Sequence, residues 1–115
     1  MQTGLSRTPS DTSPPETLAP LVLDALADRT SRRMLTTLRG SRDPMTAQEL
    51  SAVCDVPLST TYRKLERLTD ARLVEETLQL RATGTHTHQY RAKVESVTLQ
   101  LDGDEAVELT ALGGD

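Results

Sequence analysis

The sequence predicts a mainly α domain carrying a small β-hairpin, an α+β fold, and three observations lead there. Four stretches between residues 17 and 69 repeat apolar side chains at helical spacing. From Leu73 onward the apolar period drops to two. Capping and turn residues fall between these segments rather than inside them. The 115 residues are expected to divide into a disordered tail over 1–16, a folded domain over 17–101, and an acidic tail or short helix over 102–115.

The first helix is expected to start near Thr17. Leu18, Leu21, Val22, Ala25 and Leu26 form one stripe, and Leu23 lies off it. Asp28 is placed to cap a second helix from about Arg29 to Arg39, with Met34, Leu35 and Leu38 inward and Gly40 as its stop. Thr46 and Glu49 have the spacing of a capping box for a third helix ending near Cys54. Its inward residues are expected to be Ala47, Leu50, Val53 and Cys54. Val56 and Pro57 open a fourth helix to about Thr69, with Leu58, Thr61, Leu65 and Leu68 as its buried stripe.

Two strands follow. Burial of one face favours a register that pairs Leu80 with His88, Leu78 with Tyr90 and Val74 with Val94, around a loop centred on Gly84. Val97, Leu99 and Leu101 alternate out of phase with Val94, so a bulge or turn is expected at Glu95-Ser96. Glu105 to Leu112 can form a short acidic helix.

Composition bounds the function. With no Phe, no Trp and two Tyr, the core must be aliphatic. The single cysteine, Cys54, excludes an intramolecular disulfide and fits a reducing cytoplasm; at an inward position it reads as a buried, inert thiol. The first sixteen residues lack the apolar core of a signal peptide, and no stretch is apolar enough to span a bilayer. Eleven of thirteen basic residues are Arg, and the acidic excess sits at the ends, a bias that suits a salt-loving host. The net charge is −4, yet residues 29–93 hold twelve basic against seven acidic residues, while the remainder holds only Arg7 against ten acidic ones. The middle of the chain can therefore meet a polyanion.

The fourth helix, "VPLSTTYRKLERL", shows how. With its apolar stripe inward, Ser59, Thr60, Arg63, Lys64 and Arg67 are left on the other side. Small residues at the N-terminal turns allow close approach to a major groove, and long cations behind them reach guanine edges or phosphates.

"LDALADRTSRRMLTTL" followed by "MTAQELSAVCDVPLSTTYRKLERLTDARLVEE" resembles the winged helix-turn-helix of ArsR-type transcription regulators, in particular archaeal and haloarchaeal members. The resemblance covers about Leu21 to Tyr90. It implies a cytoplasmic, sequence-specific regulator of double-stranded DNA, acting as a homodimer, with residues 57–69 as recognition helix and 81–88 as wing tip. The expected DNA-contacting set is Thr46, Gln48, Ser59, Thr60, Tyr62, Arg63, Lys64, Arg67, Arg81, Thr83, Gly84, Thr85 and His86. The expected dimer contacts are Leu18, Leu21, Val22 and Leu23. Asp55 and Pro57 stand where the family favours Gly and a capping Ser. Metal-sensing members carry two thiols where "ELSAVCDV" has one.

Other readings have less support. His86 and His88 are two potential ligands from one strand, which is not a metal site, and no cofactor is expected. No nucleophile-base motif, glycine-rich phosphate loop or cofactor fingerprint is present, so no enzyme is expected. The main rival is a winged-helix protein-interaction or dimerisation module without specific DNA binding, its basic face covered by the acidic ends. The sequence names no effector, operator or sign of regulation.

Overall fold

The computed structural model describes residues 18–80, 84, 86–101 and 107–113. Helices come first: α1 (Leu18–Ala27), α2 (Arg29–Gly40), α3 (Ala47–Cys54) and α4 (Leu58–Asp70). Asp28 caps α2, its carboxylate accepting from the backbone N–H and the hydroxyl of Ser31. The capping box of α3 is complete: Thr46 accepts from the Glu49 N–H, and Glu49 accepts from the Thr46 N–H. Gly40 differs from expectation. It is the last helical residue of α2, and extended Ser41 forms the cap. The chain leaves α2 straight into an extended segment, so no left-handed residue is needed there.

At the helix ends, the two described residues with left-handed backbone are not glycines. Asp55 (φ 57°) reverses the chain between α3 and α4, and Arg72 (φ 61°) ends α4. At Arg72 the N–H groups of Arg72 and Leu73 donate back to the carbonyls of Thr69 and Leu68, the paired bonds of a Schellman cap. A side chain pays a steric penalty in this conformation that glycine avoids. Arg72→Gly is therefore expected to raise the unfolding free energy by up to about 1 kcal/mol, and Arg72→Val to lower it, in denaturant titrations.

Apart from Tyr90, the core holds no aromatic side chain among the described residues. Met34, Leu50, Leu65, Leu68, Leu73 and Val74 are each 1% exposed or less. Cys54 is buried with them, beside the Thr37 hydroxyl. Three positions expected inward are instead exposed: Leu21 (45%), Val53 (59%) and Leu58 (37%). Each lies at the border of its stripe or in a first turn, where the neighbouring helix no longer reaches. Buried Thr61 keeps its hydroxyl satisfied on the Pro57 carbonyl.

β1 (Val74–Leu80) and β2 (His86–Ala92) form an antiparallel hairpin. Its register pairs Val74 with Ala92, Leu78 with His88 and Leu80 with His86, two residues away from the expected one. The parity is as expected, so the faces are unchanged. The partners differ because contacts outside the hairpin choose among registers of equal parity. Tyr90 bridges to Met45 through two backbone bonds, and the Lys93 N–H donates to Leu73. Nor does apolar pairing act at the far end, since Leu78 (56%) and Leu80 (66%) are exposed. His88, expected half covered by Leu80, is exposed and its Nδ1 contacts the Glu76 carboxylate instead.

A second hairpin joins β3 (Val94–Leu101) to β4 (Val107–Gly113). The expected irregularity is there, a register shift between Val94 and Ser96. The acidic helix or tail expected over 105–112 is corrected: residues 107–113 are a strand. Val107, Leu109 and Ala111 alternate in step with β3, and pairing with it satisfies backbone groups that an isolated short helix would leave to water. The tail over 1–16 and the loop over 102–106 lie outside the described residues. The helices with the β1–β2 hairpin make an α+β winged helix-turn-helix, and β3–β4 is an addition to it.

Candidate nucleic-acid interface

α4 is held on three sides. Thr61, Leu65 and Leu68 anchor its inner face in the core. On one flank Lys64 Nζ lies 2.9 Å from Asp28 Oδ2, the carboxylate that caps α2. Asp28 thus ties α4 to the start of α2. The Lys64 bond, then the Ser31 hydroxyl, hold its pKa down at about 2, against 3.8 ordinarily. Because the folded-state value is the lower one, this contribution is complete above about pH 3.8 and is lost as the pH falls toward 2. Asp28→Asn retains a cap for Ser31 but is expected to lack that acid-side loss when unfolding free energy is measured from pH 5 to 2. Asp28→Ala loses the cap as well, about 1 kcal/mol at any pH.

On the other flank α4 faces the hairpin. Tyr62, Glu66, Thr69 and Asp70 from α4 line a shallow cleft with Glu76 and Tyr90. Burial first, then the charges of Glu76 and Tyr62, push the Tyr90 phenol above its ordinary pKa. The sequence reading placed no function on these carboxylates. Their spacing along two separate elements gives no local signal.

Between the flanks lies the outward face. Ser59, Arg63 and Arg67 are exposed and Thr60 is half-buried. Residues 59, 63 and 67 are spaced by four and form one row along the helix. Among the described residues neither Arg63 nor Arg67 makes an ion pair or a side-chain hydrogen bond. Lys64 is not in this row; its side chain is 17% exposed and engaged with Asp28. The sequence could not show that bond, because its partner lies in another helix.

The remaining expected contacts are scattered. Thr46 is half-buried with its hydroxyl accepting the capping bond, whereas Gln48 is exposed on the first turn of α3. Tyr62 is 51% exposed at the edge of the cleft. Gly84 has φ +88°, a turn conformation that suits glycine. Arg81, Thr83 and Thr85 lie outside the described residues, and His86 is known here only by its position in β2. Of the expected dimer contacts, Leu18 and Val22 are buried in the protomer's own core, while Leu21 and Leu23 are exposed. Among the described residues there is no metal-binding cluster of His, Cys, Asp and Glu, and no helix long and apolar enough to cross a membrane.

No curated protein matches this chain. A family model described as a helix-turn-helix domain matches residues 26–77, a span running from the end of α1 through the capped α3, the left-handed turn and α4 into the first strand of the hairpin.

Proposed function

We propose that this protein is a transcription regulator that binds double-stranded DNA sequence-specifically as a homodimer. The observation that carries the reading is the row of Ser59, Arg63 and Arg67 on a helix whose other sides are fixed by core, Asp28 and hairpin. Such a helix enters the major groove N-terminus first, with its small residues against the bases and its arginines on guanine edges or phosphates. Gln48 and Thr46 approach the backbone from α3. The wing tip, Arg81 with Thr83 to His86, reaches the flanking backbone or minor groove. Two protomers place recognition helices in successive major grooves, about 34–36 Å apart, so the operator is palindromic.

A second reading is favoured by one observation, the carboxylates of Glu66, Asp70 and Glu76 beside the arginine row. They repel phosphate and suit a protein partner, which would make the domain an interaction module. Salt separates the two. A duplex binder loses affinity with a log–log slope near −0.9 for each phosphate contacted. We expect anisotropy titrations on duplex DNA to give a steep negative slope; absence of binding at every salt concentration favours the interaction module.

A further inference from the structure

One phenol in the cleft between α4 and the β1–β2 hairpin is unsatisfied. Tyr90 is 7% exposed and lines that cleft, and its hydroxyl makes no hydrogen bond among the described residues. Only its backbone groups are engaged, with Met45. A buried hydroxyl left in that state costs free energy that a bound donor relieves. Glu76 stands directly opposite Tyr90 in the hairpin register, so the two present the same side. Across the cleft, Tyr62, Glu66 and Asp70 are spaced by four and form one row along α4. Glu66 and Asp70 make no ion pair among the described residues, and like charges at that spacing repel. The Glu76 carboxylate contacts Nδ1 of His88.

We infer that this cleft is a binding site for a small aliphatic amine, whose protonated amino group donates to the Tyr90 hydroxyl and to the carboxylates of Glu66, Asp70 and Glu76. The site does not depend on DNA being the ligand of the arginine row, which lies on the neighbouring face of α4. Its volume, about 300 Å³, is at the low end for small-ligand sites, roughly 300–1,000 Å³.

The chemistry of the occupant follows from the lining. Three carboxylates repel an anion and attract a cation. Among the described residues no cluster of His, Cys, Asp and Glu is placed to hold a metal ion, so the carboxylates suit a cation larger than a bare metal. The unsatisfied hydroxyl selects further. Burial first, then the charges of Glu76 and Tyr62, keep the Tyr90 phenol protonated, and its lone pairs accept an N–H. A primary ammonium has N–H groups to donate, whereas a quaternary ammonium has none. Tyr62 and Tyr90 also supply apolar ring surface for the methylene chain of such an amine.

The chain has two Tyr, no Trp and no Phe, so all of its aromatic emission comes from this cleft. Titration of the full chain with butane-1,4-diamine at constant ionic strength, followed by tyrosine fluorescence, tests the inference. We expect a saturable change that neither tetramethylammonium nor magnesium chloride reproduces. Glu66→Gln/Asp70→Asn is expected to weaken binding about 10-fold, and Tyr90→Phe, read through Tyr62, at least about 3-fold, both with an unchanged helical signal. Asp24→Asn/Asp43→Asn removes the same charge outside the cleft and is expected to bind as the wild type does. No saturable change up to about 10 mM diamine, an equal response to tetramethylammonium or magnesium, or equal weakening by the two charge-removing variants would overturn the inference. So would a Tyr90→Phe variant that binds as tightly as the wild type. None of these outcomes bears on duplex binding, so failure here leaves the reading above intact.

Discussion

Alanine at both Arg63 and Arg67 is expected to abolish sequence discrimination on duplex DNA while leaving the fold in place. Both side chains are exposed and make no ion pair among the described residues, so their removal leaves no buried group unsatisfied. A bidentate arginine–guanine contact contributes about 1–3 kcal/mol of discrimination, or roughly 5- to 150-fold for each arginine. Competition binding between an operator and its single-base variants reads this out. Loss of preference at one base position identifies a base contact, and an equal loss on every sequence identifies a phosphate contact. Lys64→Ala separates support from recognition. It removes the bond to Asp28, lowers stability by up to about 1 kcal/mol, and leaves base preference unchanged.

Leu65→Ala is expected to have the largest effect on stability. Leu65 is 1% exposed at the centre of the α4 stripe, and truncation there opens a cavity under α4. Such changes cost about 2–5 kcal/mol, a large part of the total of roughly 5–15 kcal/mol for a domain. Val53→Ala, at 59% exposure, is expected to change stability by no more than about 0.5 kcal/mol. Thermal and denaturant unfolding of the pair tests the assignment directly, because the helical pattern alone placed both residues inward.

The contrast shows which features the sequence makes legible. Caps are local, so Asp28 and the Thr46–Glu49 box could be read from a few residues. The left-handed turn at Asp55 and the break before Ser96 are local as well. The outward face of α4 followed from the spacing of Leu65, Leu68 and Thr61. What escaped depends on distant partners. The hairpin's parity is fixed by which face is buried, but its shift by two depends on Met45, far back in the chain. Lys64 belongs to the basic run in the sequence and to Asp28 in the fold. Residues 107–113 fit a helix or a strand by pattern, and only the alternation of β3 beside them decides.

Selection from a random duplex-DNA pool with the purified full chain at high potassium chloride bears most directly on the central claim. The account predicts enrichment of a palindrome with half-sites about one helical turn apart, lost when Arg63 and Arg67 are alanine. No enrichment at any salt concentration, from a protein that is folded and dimeric, would contradict it and leave the interaction module in its place.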